Sequence, residues 1–448
     1  MASIQLPLSG LDIEKATARG QQLENASNSL GYEDRAVHDW YRFVLSFPPH
    51  LVRQYMKDFG LAKGQVVCDP FCGTGTTLVE ARLGGFESVG IEAIPVSHFA
   101  SKAKLNWGAD PDELRGDATK IAEQTRTALQ EQGILDDWDC SAKADEVGLR
   151  KLDDKRTKLL IKDSISPLPL HKTLMLLDNL SAYEGKPHYD HLRLAIANSL
   201  VGSISNLRFG TEVGVGKIKT DTPVLDPWLN VVSEMALDIG RLTSSNWPEA
   251  KVFLSDARRI DEILEPKSID AVITSPPYPN EKDYTRTTRL ETVLLGFAES
   301  MKDVRDFKKQ LVRSNTRGVY KDDTDDEWVS KYSKILSIAK AIEDKRKELG
   351  KTSGFERQYH RVTKLYFGGM LRHLSGLRNV LRPGAHLAYV VGDQASYLRV
   401  MIRTGQLLAE IASDLGYEVL RIDLFRKRFA TATKEELREE VVVLKWNG

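Results

Sequence analysis

One segment leaves this chain few folds to choose from. Gln65-Val66-Val67-Cys68-Asp69 reads as a short buried strand, Gly73 and Gly75 as a tight turn, and Thr76 to Leu83 as the helix that follows. Glycines let a backbone turn sharply and approach a ligand without a clashing Cβ. A strand buried on both faces belongs to a parallel sheet covered by helices. The pattern repeats at once, with Ser88 to Glu92 as a second strand and Pro95 to Lys104 as a second helix. This β-α-β-α rhythm specifies a doubly wound α/β sheet.

The rhythm then breaks. From 119 to 250 apolar residues recur at helical spacing, in Leu168 to Leu180, His191 to Ile204 and Val231 to Leu242, around a basic, glycine-rich loop from Gly210 to Lys219. Strands return at Lys251 to Leu254 and Ile269 to Thr274. The sheet is expected to close with His386 to Gly392, Glu418 to Phe425 and Glu440 to Trp446, the last two as an antiparallel pair at its edge. Segment 301–365 is dense in charge of both signs, and its acidic run Asp322 to Asp326 reads as a solvated loop. Residues 1 to 35 are polar and mixed, expected as a surface helix and loop. The breaks give an N-terminal segment (1–60), a first half of the sheet (61–118), a helical insertion (119–250), a second half (251–300), a charged insertion (301–365) and a C-terminal part of the sheet (366–448).

With 448 residues the chain can bury a large core and carry such insertions. It has no apolar run long enough to span a bilayer and no basic-then-apolar N-terminus, so neither a membrane nor a secretory signal is expected. Cys68, Cys72 and Cys140 are too few and too irregular for a disulfide framework or a zinc site, which points to a cytoplasmic protein. Lys+Arg 63 balances Asp+Glu 63, which speaks against nonspecific coating of nucleic acid and leaves room for a local basic cleft.

In an open α/β sheet the ligand crevice lies beyond the carboxyl ends of the strands. There the free N–H groups at Thr76 and Thr77 favour an anionic group. Glu92 stands where an acid takes ribose hydroxyls in dinucleotide folds. A nicotinamide fingerprint would want a third glycine at Leu78. The second informative segment, Thr274-Ser275-Pro276-Pro277-Tyr278, ends an apolar strand with hydrogen-bond acceptors, two stiffening prolines and an aromatic ring. Alone, either segment has a bland reading, as packing glycines or as a rigid turn.

Together, Asp69-Pro70-Phe71-Cys72-Gly73-Thr74-Gly75-Thr76-Thr77 and Thr274 to Tyr278 resemble the motifs of the S-adenosylmethionine-dependent DNA amino-methyltransferases of N4-cytosine and N6-adenine type. The resemblance covers roughly 36–118, 251–300 and 366–448, and Leu381-Arg382-Pro383-Gly384 before a strand agrees with it. It implies a Rossmann-like methyltransferase sheet. It further implies that Phe71 to Gly75 line the methionine part of S-adenosylmethionine, with Asp69, Pro70, Thr76 and Thr77 in the same cofactor motif, and that Glu92 holds the ribose. Phe47 and Pro48 resemble the segment that covers the cofactor's methionine end; a proline-first helix start explains them equally well. Asp256 falls where the family places an acid on the adenine amine, and Asp117 has the same local pattern. The cofactor motif precedes the catalytic one, unlike the permuted order of many N4-cytosine enzymes.

An exocyclic base amine is a poor nucleophile, because its lone pair is delocalised into the ring. Acceptors on its N–H groups promote rehybridisation, and Ser275 Oγ and the Pro276 carbonyl are the candidates. Pro277 adds stiffness, and Tyr278 offers a ring for stacking. The base must leave the duplex at a cost of a few kcal/mol, and stacking returns about 1–3 kcal/mol. A sulfonium methyl is already activated, so no metal is required. No cysteine follows a proline, as a ring-carbon methyltransferase would want, which favours nitrogen as acceptor. Ser rather than Asp at 275 resembles the N4-cytosine enzymes more than the N6-adenine ones. Cytosine is therefore favoured and adenine stays open.

The partners this implies are double-stranded DNA and a restriction or defence system, with no membrane. Lys217, Lys219, Arg286, Arg289, Arg313, Arg317 and the cluster Arg426-Lys427-Arg428 are candidate DNA contacts, each also readable as solvated charge. Either insertion is a candidate target-recognition region. Two readings compete: an RNA guanine-N2 methyltransferase and a catalytically silent methyltransferase-like DNA-binding subunit. The first normally carries an N-terminal RNA-binding domain, for which the residues before the core are too few. The second usually loses the glycines or the catalytic tetrad, and both are present here.

Overall fold

The computed structural model describes residues 10–23, 30–41, 47–137, 148–209, 213–242, 246–280, 282–430 and 435–448; Cys140 and Gly210 to Glu212 lie outside them. Its strands are β1 Val66–Asp69, β2 Glu87–Glu92, β3 Leu207–Phe209, β4 Val213–Val215, β5 Ala250–Leu254, β6 Ile269–Thr274, β7 Leu381–Gly392, β8 Glu418–Ala430 and β9 Glu435–Lys445. Seven of them form one sheet in the order β5-β2-β1-β6-β7-β9-β8, while β3 and β4 pair separately. Part of the loop expected at Gly210 to Lys219 is thus one arm of a short antiparallel pair.

Strands β5, β2, β1, β6 and β7 are parallel, and β9 runs antiparallel to both β7 and β8. From β1 the chain moves outward through β2 to β5, then returns to the other side of β1 as β6. Strand order therefore reverses between β1 and β6, which is where a doubly wound sheet opens its crevice.

Alternation along the strands builds the layers. Val67 packs with Leu51, Val52 and Tyr55 of the helix Pro49–Asp58 and with Ala81 of the helix Thr76–Leu83. Its neighbour Cys68 faces the opposite side, among residues of the helices Tyr359–Val380 and Thr404–Asp414. Val441 to Leu444 alternate in the same way between these two cores, which is why that run is apolar without a polar face.

The helices of the 119–250 segment share a continuous core with Pro95–Lys104; Phe99, Leu192 and Trp228 belong to it together. His191 to Ile204 is not one α-helix: it ends at Ser199 and passes into a π-helical turn, Leu200–Ile204. The N-terminal segment is more than surface dressing. Helix Gly10–Arg19 buries Ile13 and Ala16 in the core, and Gln21 and Leu23 exchange backbone hydrogen bonds with Leu424. This covers the otherwise open edge of β8.

The acidic run is not a solvated loop either. Asp325 is buried and meets Arg258 Nη1 at 2.5 Å, and Asp323 meets Arg313 Nη2 at 2.7 Å. The carbonyl of Asp325 lies so close to Gly368, on the helix Tyr359–Val380, that a Cβ there would sit 1.7 Å from it. Among the described residues, no helix is long and apolar enough to cross a membrane.

Candidate active site

Beyond the carboxyl ends of β1, β2 and β6 lies a cleft of about 560 Å³, in the usual range for small-molecule sites. Parallel pairing sets Val67 beside Ala271 and Cys68 beside Val272, so the two informative segments leave the sheet side by side. Two hydrogen bonds bind them, and a third closes the turn of the first segment on itself. Thr274 Oγ1 donates to Asp69 Oδ1 at 2.6 Å, Phe71 N donates to the same oxygen at 3.0 Å, and Thr77 Oγ1 donates to the Ile273 carbonyl at 3.0 Å. Asp69 is fully buried, which pushes its carboxyl up to about 6.

Gly73 and Gly75 both take positive φ, 53° and 89°, which L side chains rarely adopt. A Cβ on Gly73 would meet nothing, because that side is open. Helix Thr76–Leu83 begins at Gly75 with no side-chain cap, leaving its first N–H groups free of side-chain partners. Glu92 Oε2 accepts from Gly73 N at 2.9 Å and Oε1 from Ile94 N at 2.7 Å. Burial raises Glu92 to about 7 in spite of these bonds. A carboxylate has about four acceptor positions, and with the Ala93 backbone also bearing on Glu92, part of that capacity remains for a ligand's hydroxyls.

On the other wall, Ser275 Oγ donates to the Val390 carbonyl at 3.2 Å and also engages the Tyr278 hydroxyl, so its remaining capacity is as an acceptor. The Tyr278 ring lies over Gly392, where a Cβ would come within 3.1 Å of Tyr278 Cε2 and 3.4 Å of Glu439 Cγ. Burial, and then Glu439, hold the Tyr278 hydroxyl above its ordinary pKa, so it stays neutral.

The cleft gathers Phe47, Pro70, Phe71, Gly73, Thr76 and Glu92 with Ser275, Pro276, Pro277 and Tyr278. It does not gather all the residues expected there. Asp69, Gly75 and Thr77 brace the turn from behind, and Pro48 is buried next to the start of the helix Pro49–Asp58. Asp256 is turned away as well. Its carboxylate takes Arg258 Nε, Nη2 and backbone N, at 2.9, 2.7 and 2.8 Å, while its neighbours Ser255 and Ala257 reach the wall. Asp117, the alternative, is held by Lys186 and His188 on the helix Pro111–Gln130.

Lining residues that the sequence reading missed include Asn280, Lys282, Tyr284, Gln394 and Glu439. The first three could have been found, since they directly follow Tyr278. Arg426 and Arg428, candidate DNA contacts from the sequence that could also be read as solvated charge, line the cleft. Arg313, Arg289 and Lys219 hold structure together: Arg313 binds Asp323, Arg289 Nε donates to the Thr285 carbonyl, and Lys219 Nζ donates to the Ser205 carbonyl.

Comparison with known proteins agrees with this geometry. A family model described as DNA methylase matches residues 18–98, which span β1, the glycine turn and β2. The Type II methyltransferase M.BsoBI of Geobacillus stearothermophilus is 25% identical over 441 residues, covering 90% of this chain and 83% of that protein. M.AvaI of Anabaena variabilis is 22% identical over 409 residues, covering 87% and 81%. A local match of 36% over 70 residues joins 15% of the chain to M.MjaII of Methanocaldococcus jannaschii. The chain is thus similar to DNA methylases of the N6/N4 amino-methyltransferase type, locally to the family model and along most of its length to two Type II methyltransferases.

Proposed function

We propose that this protein transfers a methyl group from S-adenosylmethionine to the exocyclic amine of a base flipped out of double-stranded DNA, and that the base is cytosine, modified at N4. The observation that carries the reading is the single cleft shared by the glycine turn and the Ser275–Tyr278 segment at the point where strand order reverses.

The residues lining the cleft fit the cofactor. Phe71, Gly73 and Thr76 would hold its methionine end, with Phe47 also on the cleft wall and Glu92 accepting from the ribose hydroxyls. When bound, S-adenosylmethionine supplies an electrophilic methyl group on a sulfonium. The chain's own work is positioning. Ser275 Oγ and the Pro276 carbonyl accept from the amine, drawing its lone pair out of conjugation, and Pro277 keeps both acceptors in place before the base arrives. Tyr278 supplies the stacking face, against which about 1–3 kcal/mol offsets the cost of flipping. A neutral Ser at 275 supports cytosine over adenine through the family pattern. A cognate restriction or defence partner is part of the same reading.

The test is transfer of labelled methyl to unmodified duplex DNA and to RNA, followed by digestion to nucleosides. N4-methylcytosine from DNA is expected, and Ser275→Ala combined with Tyr278→Ala should abolish it. N6-methyladenine would reassign the base; label confined to RNA would reassign the substrate; no label with intact cofactor binding would leave a silent subunit.

A further inference from the structure

Two arginines share the cleft wall with Tyr278. Strands β8 and β9 continue their pairing past Gly392, the last residue of β7, so their hairpin rises above the carboxyl edge of the sheet. Arg426 and Arg428, two apart on β8 and so on one face of it, line the cleft there together with Glu439 of β9. Glu439 is buried and binds both: Arg426 through Nε and Nη2, the latter at 3.1 Å, and Arg428 Nη2 at 3.0 Å. The stem of Glu439 and the ring of Tyr278 flank Gly392 from the same side. The guanidiniums are thus fixed next to the stacking surface.

Each guanidinium has five N–H donors. Glu439 uses two on Arg426 and one on Arg428, which leaves both with donors directed by a fork that cannot swing freely. An enzyme that flips a base reads it on its Watson–Crick edge. Cytosine presents there its amine and then two adjacent acceptors, N3 and O2. Adenine presents its amine, one acceptor and a C–H. If the amine is held by Ser275, the rest of that edge must face a wall of donors or leave its acceptors unpaired.

We propose that Arg426 and Arg428, oriented by Glu439, are the base-reading residues of this site, donating to N3 and O2 of a flipped cytosine. Glu439 is a positioning residue, acting through the two guanidiniums. The assignment rests on the reading of the cleft as a DNA amino-methyltransferase site and deepens it by naming what rejects adenine. A site built to donate to two acceptors loses a partner when adenine enters, and unpaired buried donors discriminate strongly.

The experiment compares wild-type protein with R426M, R428M, R426K and E439Q on methylation-free plasmid DNA. Labelled methyl incorporation is measured, the modified nucleoside is identified, and S-adenosylmethionine affinity is titrated separately. Wild type should yield N4-methylcytosine. R426M should lower kcat/KM for DNA at least 100-fold while cofactor affinity stays within twofold. R428M should lose at least 10-fold, R426K should recover part of the R426M loss, and E439Q should fall between wild type and R426M. An R426M and R428M pair with wild-type transfer would overturn the inference while leaving the proposed function intact. Parallel loss of cofactor affinity in R426M would also overturn it, since that is what a merely structural ion pair would give. Wild-type product found as N6-methyladenine would overturn both.

Discussion

Gly392 carries information that no motif contains. Its missing side chain is what lets the Tyr278 ring and the Glu439 stem meet over β7, and its backbone does not need glycine's conformational freedom. Gly392→Ala should therefore fold normally while its methyl group displaces the Tyr278 ring. The expected result is at least a 10-fold drop in methyl transfer with a melting temperature near that of wild type. Thr274 argues the converse case. Its hydroxyl is one of the bonds holding a fully buried carboxyl, and Asp69 Oδ2 already lacks a partner. Thr274→Val removes that bond without changing shape, and leaving a buried acceptor short costs about 1–3 kcal/mol. Urea denaturation should show that loss of stability, and an unchanged midpoint would mean Asp69 is protonated and satisfied in another way.

Elements differ in how openly they declare themselves. The strand Val66–Asp69, the helices Thr76–Leu83 and Pro95–Lys104 and the strand Ile269–Thr274 could be read almost to the residue, because buried strands, glycine turns and proline starts are local signals. The end hairpin, Glu418–Ala430 with Glu435–Lys445, is longer than hydropathy predicts. Beyond Phe425 its strands alternate charges that satisfy one another across the pair, as Arg426 does with Glu439 and Lys427 with Glu436, and a single strand's hydropathy cannot show that. The acidic run differs from its sequence expectation for the same reason. Arg258 takes Asp256 on one side and Asp325 on the other, so an ion pair closes across a long sequence separation. It also explains why Asp256, well placed by sequence, is turned from the cleft. Breaking such a buried network by removing the shared cation costs about 3–5 kcal/mol. Arg258→Met should destabilise the protein by that order and raise hydrogen exchange first in the segment around Asp325, which packs on Gly368. Uniform exchange across the whole chain would mean the network does not hold this segment in particular.

At the scale of the whole molecule, several buried carboxyls titrate together, and their effects on stability and on ligand binding run in opposite directions. Asp69 is raised to about 6, and Glu92, Glu291 and Glu440 to about 7, burial being the largest cause in each case. Their unfolded values lie near 4. Between those limits the native state holds protons that the unfolded chain has released, so stability is greatest at the low end, declines as pH rises through about 7, and levels off above. Glu291 is the cleanest reporter. It is 1% exposed, accepts from Tyr41 Oη at 2.7 Å, and keeps Oε2 without a partner. The urea midpoint should be higher at pH 5.5 than at pH 8, and Glu291→Gln should flatten that slope. In the proposed ribose contact Glu92 acts the other way, because only its ionised form offers both oxygens purely as acceptors to hydroxyls. S-adenosylmethionine affinity should therefore tighten as pH rises through about 7, in the range where the free protein is losing stability. Calorimetric titration of wild type against Glu92→Gln separates the two effects: the variant should bind weakly and without the slope. A slope that persists in the variant would assign the ionisation to another group and remove Glu92 from the ribose.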